Sequence, residues 1–319
     1  MALKSDKTDV LSFAWEGKGM HELVREIQEL KRERQAVILA HNYQQDAVQD
    51  IADLVGDSLE LSRYAAEADA EVIVLAGVRF MAETASILAP DKTVLLPDAF
   101  AGCPLAESVD VQELRREKEK YPDAAVVCYV NSPAEVKAES DICCTSSNAV
   151  KVVQSLPHHR ILFVPDRNLA SYVSRFTDKE IIPWPGLCIT HYRATLEELE
   201  EARAAHPQAK VLVHPECRPE VCEAADFVGS TGAILKYARE SDAQEFIIGT
   251  EMGIIHRLQQ ENPGKKFYLL SPGLICPNMK LTTLSKIAQC LKEMQPVIKV
   301  PEDIRQRAYR ALKRMLEVV

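Results

Sequence analysis

The sequence has no apolar run that approaches the roughly 18–20 residues of a membrane-spanning helix, so we exclude a membrane span. Its lysines and arginines form no cluster or stripe, and the net charge is −9, which argues against a nucleic-acid partner. The first ten residues, MALKSDKTDV, lack the basic-then-apolar pattern of a signal peptide. These absences predict a cytoplasmic protein without a membrane or nucleic-acid partner.

The sequence contains nine cysteines, which is an odd number. Without an export signal they are not expected to form a disulfide framework, so they are free thiols or metal ligands. No CxxxCxxC motif occurs, which disfavours a radical S-adenosylmethionine enzyme. No low-complexity linker interrupts the 319 residues, so the two or three domains that this length suits should pack closely.

A threefold internal repeat organises the chain. Three apolar strands end in the polar triplets His41-Asn42-Tyr43, Tyr129-Val130-Asn131 and His214-Pro215-Glu216. Counted from the first residue of each triplet, an aspartate follows at +12 (Asp53, Asp141, Asp226) and a hydroxyl residue at +17 (Ser58, Ser146, Thr231). A cysteine then follows at +62, +59 and +62 (Cys103, Cys188, Cys276). The repeat predicts three domains of similar build, which we place at 1–109, 110–195 and 196–319.

Each repeat alternates short apolar strands with helical patterns, which is typical of βαβ units and predicts an α/β fold with parallel sheets. In the first repeat we expect a leading helix at 20–34, strands at 36–41, 72–78 and 93–97, and helices near 45–52, 58 onward and 81–88. A final helix should follow Pro301. Ligands of parallel sheets lie beyond the carboxyl ends of the strands, so the triplets, hydroxyls and cysteines should face one central cavity.

The three aligned cysteines are candidate metal ligands. All of them follow the last strand of their repeat in loops rich in glycine and proline. Three thiolates would leave one coordination position open for a substrate. Soft thiolates suit zinc or an iron–sulfur cluster, and the spacing does not distinguish these two. The other cysteines are read as small buried hydrophobic residues.

The strand-end triplets provide candidates for acid–base chemistry and substrate binding. They contain His41, Tyr43, Tyr129, Asn131, His214 and Glu216. His191 follows Cys188 by three residues and has no counterpart in the other repeats, which makes it a further catalytic candidate. Ser58, Ser146, Ser230 and Thr231 are expected to open helices, where N-caps are common and where anions also bind. The aspartates at +12 are expected to be structural.

Nine separated motifs resemble the quinolinate synthase (NadA) family and cover nearly the whole chain in order. They are HNYQ (41–44), GDSLELS (56–62), GCPLAE (102–107), YVNS (129–132), CTSSNA (144–149), LCITH (187–191), HPEC (214–217), ADFVGST (225–231) and CPNMKLTTL (276–284). The resemblance implies three pseudo-equivalent αβα sandwich domains around a central [4Fe–4S] cluster. It also implies an enzyme of NAD biosynthesis that condenses iminoaspartate with dihydroxyacetone phosphate to quinolinate, releasing phosphate and water.

The resemblance also implies roles for individual residues. The cluster ligands would be Cys103, Cys188 and Cys276. Substrate binding would involve His41, Ser58, Tyr129, Asn131, Ser146, His214, Glu216, Ser230 and Thr231, while Tyr43, Tyr129, His191, His214 and Glu216 would handle protons. L-aspartate oxidase is the expected imine donor. Some family members carry CxxCxxC at the third ligand, but here Pro277 follows Cys276, so no disulfide switch is expected there.

Two other functions fit parts of the pattern. A three-cysteine zinc or iron–sulfur hydro-lyase could act on another polyanionic acid. An electron-transfer protein or cluster carrier is the second alternative, but a carrier would not need three polar triplets around the cavity. A redox protein would not need a vacant coordination position.

Overall fold

Twelve strands form three separate four-stranded sheets in the computed structural model, which describes residues 19–318. The strands are β1 (Ala36–His41), β2 (Leu54–Gly56), β3 (Val72–Ala76), β4 (Thr93–Leu95), β5 (Ala125–Tyr129), β6 (Ile142–Cys144), β7 (Arg160–Val164), β8 (Glu180–Pro183), β9 (Lys210–Val213), β10 (Phe227–Val228), β11 (Glu245–Gly249) and β12 (Lys266–Leu269). The orders are β2-β1-β3-β4, β6-β5-β7-β8 and β10-β9-β11-β12, and all pairs within the sheets are parallel. The same topology therefore occurs three times, and the expected α/β fold of three αβα sandwich units is confirmed.

Fifteen α-helices accompany the strands in the described part of the chain. They are α1 (Met20–Glu33), α2 (Asp46–Ile51), α3 (Ser58–Glu67), α4 (Arg79–Leu88), α5 (Val111–Lys120), α6 (Ala134–Ala138), α7 (Ala149–Ser155), α8 (Arg167–Ser174), α9 (Ile189–Tyr192), α10 (Leu196–Ala205), α11 (Pro219–Ala224), α12 (Thr231–Glu240), α13 (Ile254–Glu261), α14 (Leu284–Glu293) and α15 (Glu302–Glu317). Short 3₁₀ turns occupy Ala106–Ser108 and Asn278–Lys280.

The strands nearest the middle of the sheets are buried on both faces, as parallel strands covered by helices must be. Every residue of β3 and β5 is buried, and both strands consist of apolar residues apart from the terminal Tyr129. The continuous apolar runs of the sequence correspond to these strands, since no residue in them needs to reach water. The predicted strand positions of the first repeat agree with β1, β3 and β4 to within two residues at either end.

The repeated aspartates have the same structural role in all three units. The carboxylate of Asp53 accepts the backbone N–H of Ile38 at 2.7 Å. Asp141 accepts from Val126 at 2.7 Å, and Asp226 accepts from Val211 at 2.9 Å. In each case the aspartate's own N–H returns a bond to the carbonyl of the same strand residue. The carboxylate thus fixes the turn that leads into the second strand of each unit.

Replacing Asp141 with alanine should destabilise the fold. The change leaves the N–H of Val126 in a buried strand without its acceptor, and hydrogen bonds to charged groups contribute about 1.5–3 kcal/mol. We expect a fall of that size in the free energy of unfolding, measured by urea denaturation followed by circular dichroism. Asp123→Ala, which removes one of the two exposed partners of Arg160, is the control. Equal effects in the two variants would contradict a shared structural role of the aspartates.

The structure corrects one predicted helix start and adds elements that the pattern did not indicate. Ser146 lies in a turn, and α7 begins only at Ala149. Helix α3 does begin at Ser58, but its N-cap is Asp57. Ser230 caps α12 as expected. Helices α5, α10 and α14 were not among the predicted elements.

The last two helices, α14 and α15, pack against the first and second units. The apolar face of α14 packs with Ile27 of α1 and with β1 and β3. The predicted final helix is α15, which packs against α6 and β6 of the second unit. Its Arg307 contacts Glu139 at 2.8 Å.

The three domain boundaries stay a prediction. The segment 1–10, from which the cytoplasmic location was inferred, lies outside the described residues.

Candidate active site

A cavity of about 260 Å³ lies where the carboxyl ends of strands from all three units converge. The predicted site residues that line it are His41, Tyr43, Ser58, Cys103, Tyr129, Asn131, Ser146, Cys188, His191, His214, Glu216, Cys276 and Thr231. Ser230 is the single predicted residue outside this lining. Its hydroxyl instead accepts the N–H of Ala233 as the cap of α12. Residues that are far apart in sequence are therefore brought into one space, as the strand-end argument expected.

The three aligned cysteines differ from the other six in exposure. Cys103, Cys188 and Cys276 are partly exposed and line the cavity, whereas the other six are buried. All nine are free thiols within residues 19–318. Burial raises the pKa of Cys103 to about 12, and it also raises the pKa of Cys188 and Cys276. The thiols are thus protonated at neutral pH, and a metal that binds them must displace these protons.

Two buried carboxylates hold the loops that carry Cys188 and Cys276. Asp166 follows β7 and accepts the N–H of Cys188 at 3.0 Å. Glu251 follows β11 and accepts the N–H of Cys276, also at 3.0 Å. Glu251 also pairs with Lys280 at 3.0 Å. These hydrogen bonds orient two of the three cysteine loops. Their acceptors, Asp166 and Glu251, both lie just beyond the third strand of their own unit.

A hydrogen-bonded chain runs from Glu216 to Tyr43. The Glu216 carboxylate lies 2.7 Å from Nδ1 of His191. On the other side of this ring, Nε2 lies 2.8 Å from the hydroxyl of Thr250. That hydroxyl is 2.5 Å from the phenol oxygen of Tyr43, which also accepts from Thr231 at 3.2 Å. Tyr43 of the first repeat, His191 of the second and Glu216 of the third thus meet in one polar network. His214 stacks on His191 with ring centroids 4.6 Å apart.

The buried environment sets the charges of this network. Burial lowers the pKa of His41 to about 4 and that of His214 to about 3, so both rings are neutral near neutral pH. Burial raises the pKa of Tyr43 and Tyr129 well above the usual value, so both remain phenols. Burial alone would raise the pKa of Glu216, but the two neighbouring histidines outweigh it and lower this pKa to about 2. The Glu216 carboxylate therefore lies beside the neutral rings of His41 and His214 and the phenols of Tyr43 and Tyr129.

The helix starts beside the cavity are less available to an anion than the sequence indicated. Asp57 accepts the N–H groups of Leu59 and Glu60 at 3.0 Å each, so it already caps α3. Ser147 in turn donates to Asp57 at 2.7 Å. The hydroxyls of Ser58, Ser146 and Thr231 nevertheless line the cavity. Substrate contacts at these positions would therefore come mainly from side-chain hydroxyls.

Two buried oxygens face this region without a hydrogen bond. They are Oδ1 of Asn131 and Oε1 of Glu216. A buried acceptor without a donor is costly, so these atoms are well suited to receive groups of a substrate or a metal ion.

Arg193 also lines the cavity and is exposed, and it is the one lysine or arginine among the described lining residues. It provides positive charge near an otherwise neutral or acidic interior.

Cys188, His191 and Glu216 could also hold a metal ion by themselves. Their ligand atoms lie within 4.8 Å of one another. The three aligned cysteines are a second possible ligand set, with one thiol from each unit. Cys188 belongs to both sets.

Sequence reasoning did not identify Thr250, Glu251, Asp166 and Arg193. The first three come within two residues of the end of the third strand of a unit, β11 or β7. The strand-end rule was applied to the strands that precede the triplets, the hydroxyls and the cysteines, and its extension to the third strand would have found these residues. Arg193 has no such signal, because the short helix α9 and its end are not evident from periodicity.

No helix within residues 19–318 is long and apolar enough to cross a membrane.

Comparison with known proteins identifies relatives over nearly the whole chain. The family described as "Quinolinate synthetase A protein" matches residues 25–317. A quinolinate synthase of Alkaliphilus metalliredigens is 57% identical over 297 residues, which cover 93% of this chain and 98% of that protein. One from Clostridium kluyveri is 58% identical with the same coverage. One from Methanoregula boonei is 57% identical over 294 residues, or 92% of this chain and 97% of that protein.

Proposed function

The chain belongs to the quinolinate synthase family, and on this premise we propose that it condenses iminoaspartate with dihydroxyacetone phosphate to form quinolinate. Phosphate and water leave, and no electrons are gained or lost overall. The product would serve NAD biosynthesis. L-aspartate oxidase would supply the imine.

The observation that carries this proposal is the convergence of one cysteine from each unit on a cavity that also contains the acid–base residues. A carrier or electron-transfer protein would not need His41, Tyr43, Tyr129 and His214 buried around the same space. The topology of three equal sheets explains the convergence, since each cysteine follows the last strand of its own sheet.

The residues present fit a [4Fe–4S] cluster. Cys103, Cys188 and Cys276 would hold it by one thiolate each, and soft thiolates are the ligands such clusters prefer. When bound, the cluster would supply a Lewis-acidic iron with an open coordination position. The hydrogen bonds from the N–H groups of Cys188 and Cys276 to Asp166 and Glu251 would keep two of the ligand loops in place.

Protein residues would move the protons that imine formation and dehydration require. The Glu216 carboxylate lies 2.7 Å from Nδ1 of His191, which positions it to exchange a proton with that ring. His191 can pass a proton between Glu216 and Thr250, because each of its ring nitrogens faces one of them at hydrogen-bond distance. Tyr43 completes this path as a neutral phenol that can donate to a departing oxygen.

Other residues would bind and orient the two substrates. The hydroxyls of Ser58, Ser146 and Thr231 and the amide of Asn131 can bind phosphate and carboxylate oxygens. Fixing both reactants in the enclosed cavity places the carbon atoms that must bond, which lowers the entropic part of the barrier. Ser230 would act indirectly by capping α12, which begins with Thr231.

Arg193 should contribute to the binding of the phosphate-containing substrate. Replacing it with glutamine removes the positive charge of the cavity lining, and a charge-assisted hydrogen bond contributes about 1.5–3 kcal/mol. We expect a rise in KM for dihydroxyacetone phosphate of about tenfold or more, with a smaller change in KM for the imine. Arg239→Gln, which alters an exposed arginine paired with Glu261, is the control. An unchanged KM for both substrates would remove Arg193 from the binding residues.

A product assay tests the function directly. The full-length protein is purified without oxygen, supplied with iron and sulfide, and mixed with iminoaspartate and dihydroxyacetone phosphate. Quinolinate should form and phosphate should be released in equal amounts. A protein that contains the full cluster but forms no quinolinate would contradict the proposal and favour a hydro-lyase on another polyanionic acid.

A further inference from the structure

Three donors of different chemistry surround one point beside the cysteine cavity. They are the Cys188 thiol, Nδ1 of His191 and Oε2 of Glu216. Nδ1 lies 2.7 Å from Oε2 and 3.3 Å from the Cys188 sulfur. We propose that, when no cluster is bound, these three residues bind a single divalent metal ion of the zinc type. This site goes beyond the proposed function and differs from a site made of three cysteines.

The donor set matches the ligands of mononuclear zinc. Zinc takes cysteine sulfur at about 2.3 Å, histidine nitrogen at about 2.0–2.1 Å and carboxylate oxygen at about 2.0–2.2 Å, in tetrahedral geometry. Such bonds separate a nitrogen and an oxygen ligand by about 3.3 Å, so Nδ1 and Oε2 need to move apart by only about half an ångström. The ion would replace a shared proton. A fourth position would remain open toward the cavity.

The surroundings of His191 hold its ring as a metal ligand requires. Metal-bound histidines usually donate the other ring N–H to a neighbouring acceptor, which fixes the tautomer. Nε2 of His191 lies 2.8 Å from the Thr250 hydroxyl, which can accept this proton and leave Nδ1 free to bind metal. His191 is also stacked on His214 and almost fully buried, so its ring orientation is restricted.

Glu216 gives an independent indication of a cation. Its side chain is 4% exposed, and its neighbours are the rings of His191 and His214 and the phenol of Tyr129. A buried carboxylate is electrostatically costly unless a positive group lies beside it. No lysine or arginine within the described residues pairs with Glu216. A metal ion bound by Oε2 would neutralise this charge.

The shared ligand has a functional consequence. Cys188 belongs to both sets, so the single ion and the three-cysteine cluster cannot be bound at the same time. Zinc would therefore protect the cluster-free protein from oxidation at Cys188 but delay cluster assembly. The inference needs only that the protein can be prepared without a cluster, so it does not depend on which reaction the loaded enzyme performs.

Zinc titration of cluster-free protein tests the assignment of ligands. The full-length chain is stripped of iron by a chelator, checked for secondary structure by circular dichroism, and titrated with zinc against a chromophoric competitor. We expect one zinc per chain. Cys188→Ser, His191→Gln and Glu216→Gln should each weaken binding by more than about 100-fold, whereas Thr250→Val should weaken it by about tenfold through the histidine.

The matched controls are Cys103→Ser and Cys276→Ser, which remove the other two cavity thiols and should leave zinc affinity within about twofold. Loss of zinc binding in these controls would show that the three cysteines hold the ion and would overturn the proposal. Unchanged affinity in His191→Gln would overturn it as well. Cobalt provides a second readout: its sulfur charge-transfer band should have the intensity of one thiolate in the wild-type protein and in both controls, and should disappear in Cys188→Ser.

Cluster assembly gives the functional readout. Zinc-loaded wild-type protein should take up iron and sulfide at least about tenfold more slowly than metal-free protein, because Cys188 must first be released. Equal rates would contradict exclusive binding. Failure of the enzyme to make quinolinate would leave these binding results unchanged, so the two proposals can fail separately.

Discussion

Replacing Cys103, Cys188 or Cys276 with serine is expected to remove most of the bound iron and nearly all quinolinate formation. Wild-type protein reconstituted without oxygen should contain about four irons per chain and absorb visible light as a [4Fe–4S] protein does. Each thiol comes from a different unit, so no neighbouring cysteine can replace it. Serine oxygen is a harder and more basic donor than sulfur and holds such clusters poorly. Iron and sulfide analysis, together with the visible spectrum, measures the loss.

Cys290→Ser is the matched control for this prediction. Cys290 is a free thiol on α14 and packs with the first sheet, outside the residues that line the cavity. It should keep the iron content and the activity of the wild type. An aligned cysteine whose serine variant retains all of its iron is not a cluster ligand. Equal loss of iron in Cys290→Ser would indicate general damage to the fold instead.

Glu216→Gln and Tyr43→Phe should each reduce kcat by about 10²–10⁴-fold while the iron content stays close to that of the wild type. Glutamine has the size of glutamate but cannot accept a proton, so the contact with Nδ1 of His191 no longer transfers one. Phenylalanine lacks the hydroxyl that lies 2.5 Å from the Thr250 hydroxyl, so the proton path that begins at Glu216 is interrupted at its Tyr43 end. Steady-state kinetics with iron analysis of the same samples separates loss of turnover from loss of the cluster.

Exposed residues of the same type provide the controls for these two variants. Glu220→Gln and Tyr64→Phe change side chains that do not line the cavity, and both should retain normal kcat. Full activity in both Glu216→Gln and Tyr43→Phe would remove these residues from the catalytic candidates. A fall in kcat together with loss of iron would assign them a structural role at the cluster.

The helices and strands could be predicted because their signals are local. The apolar runs ending at His41 and Tyr129 indicated strands of parallel sheets, and β1 and β5 end at these residues. The aspartates at +12 were expected to be structural, and the equal bonds of Asp53, Asp141 and Asp226 confirm this. The apolar pattern of a strand and the residue types of a turn depend on residues close together in the chain, so the amino-acid sequence alone shows them.

Other features depend on contacts between distant parts of the chain. The return of α14 to the first unit and of α15 to the second was not predicted, since an amphipathic helix does not indicate which surface it will cover. The turn at Ser146 was taken for a helix start, because a run of serine and asparagine suits both a cap and a turn. The role of Asp166 and Glu251 is evident only in the folded protein, where their carboxylates accept hydrogen bonds from the N–H groups of Cys188 and Cys276.

The sequence by itself determined the threefold repeat, the parallel sheets and the residues that come together beyond the strand ends, because residue spacing dictates which side chains follow each strand. Tertiary structure alone decided the distances and the charges. The pKa of Glu216 is lowered to about 2 and the pKa values of the Cys103 and Cys188 thiols are raised by what surrounds these groups once three units close around them. Desolvation and neighbouring charge are properties of the assembled cavity, and no segment of the chain has them before it folds.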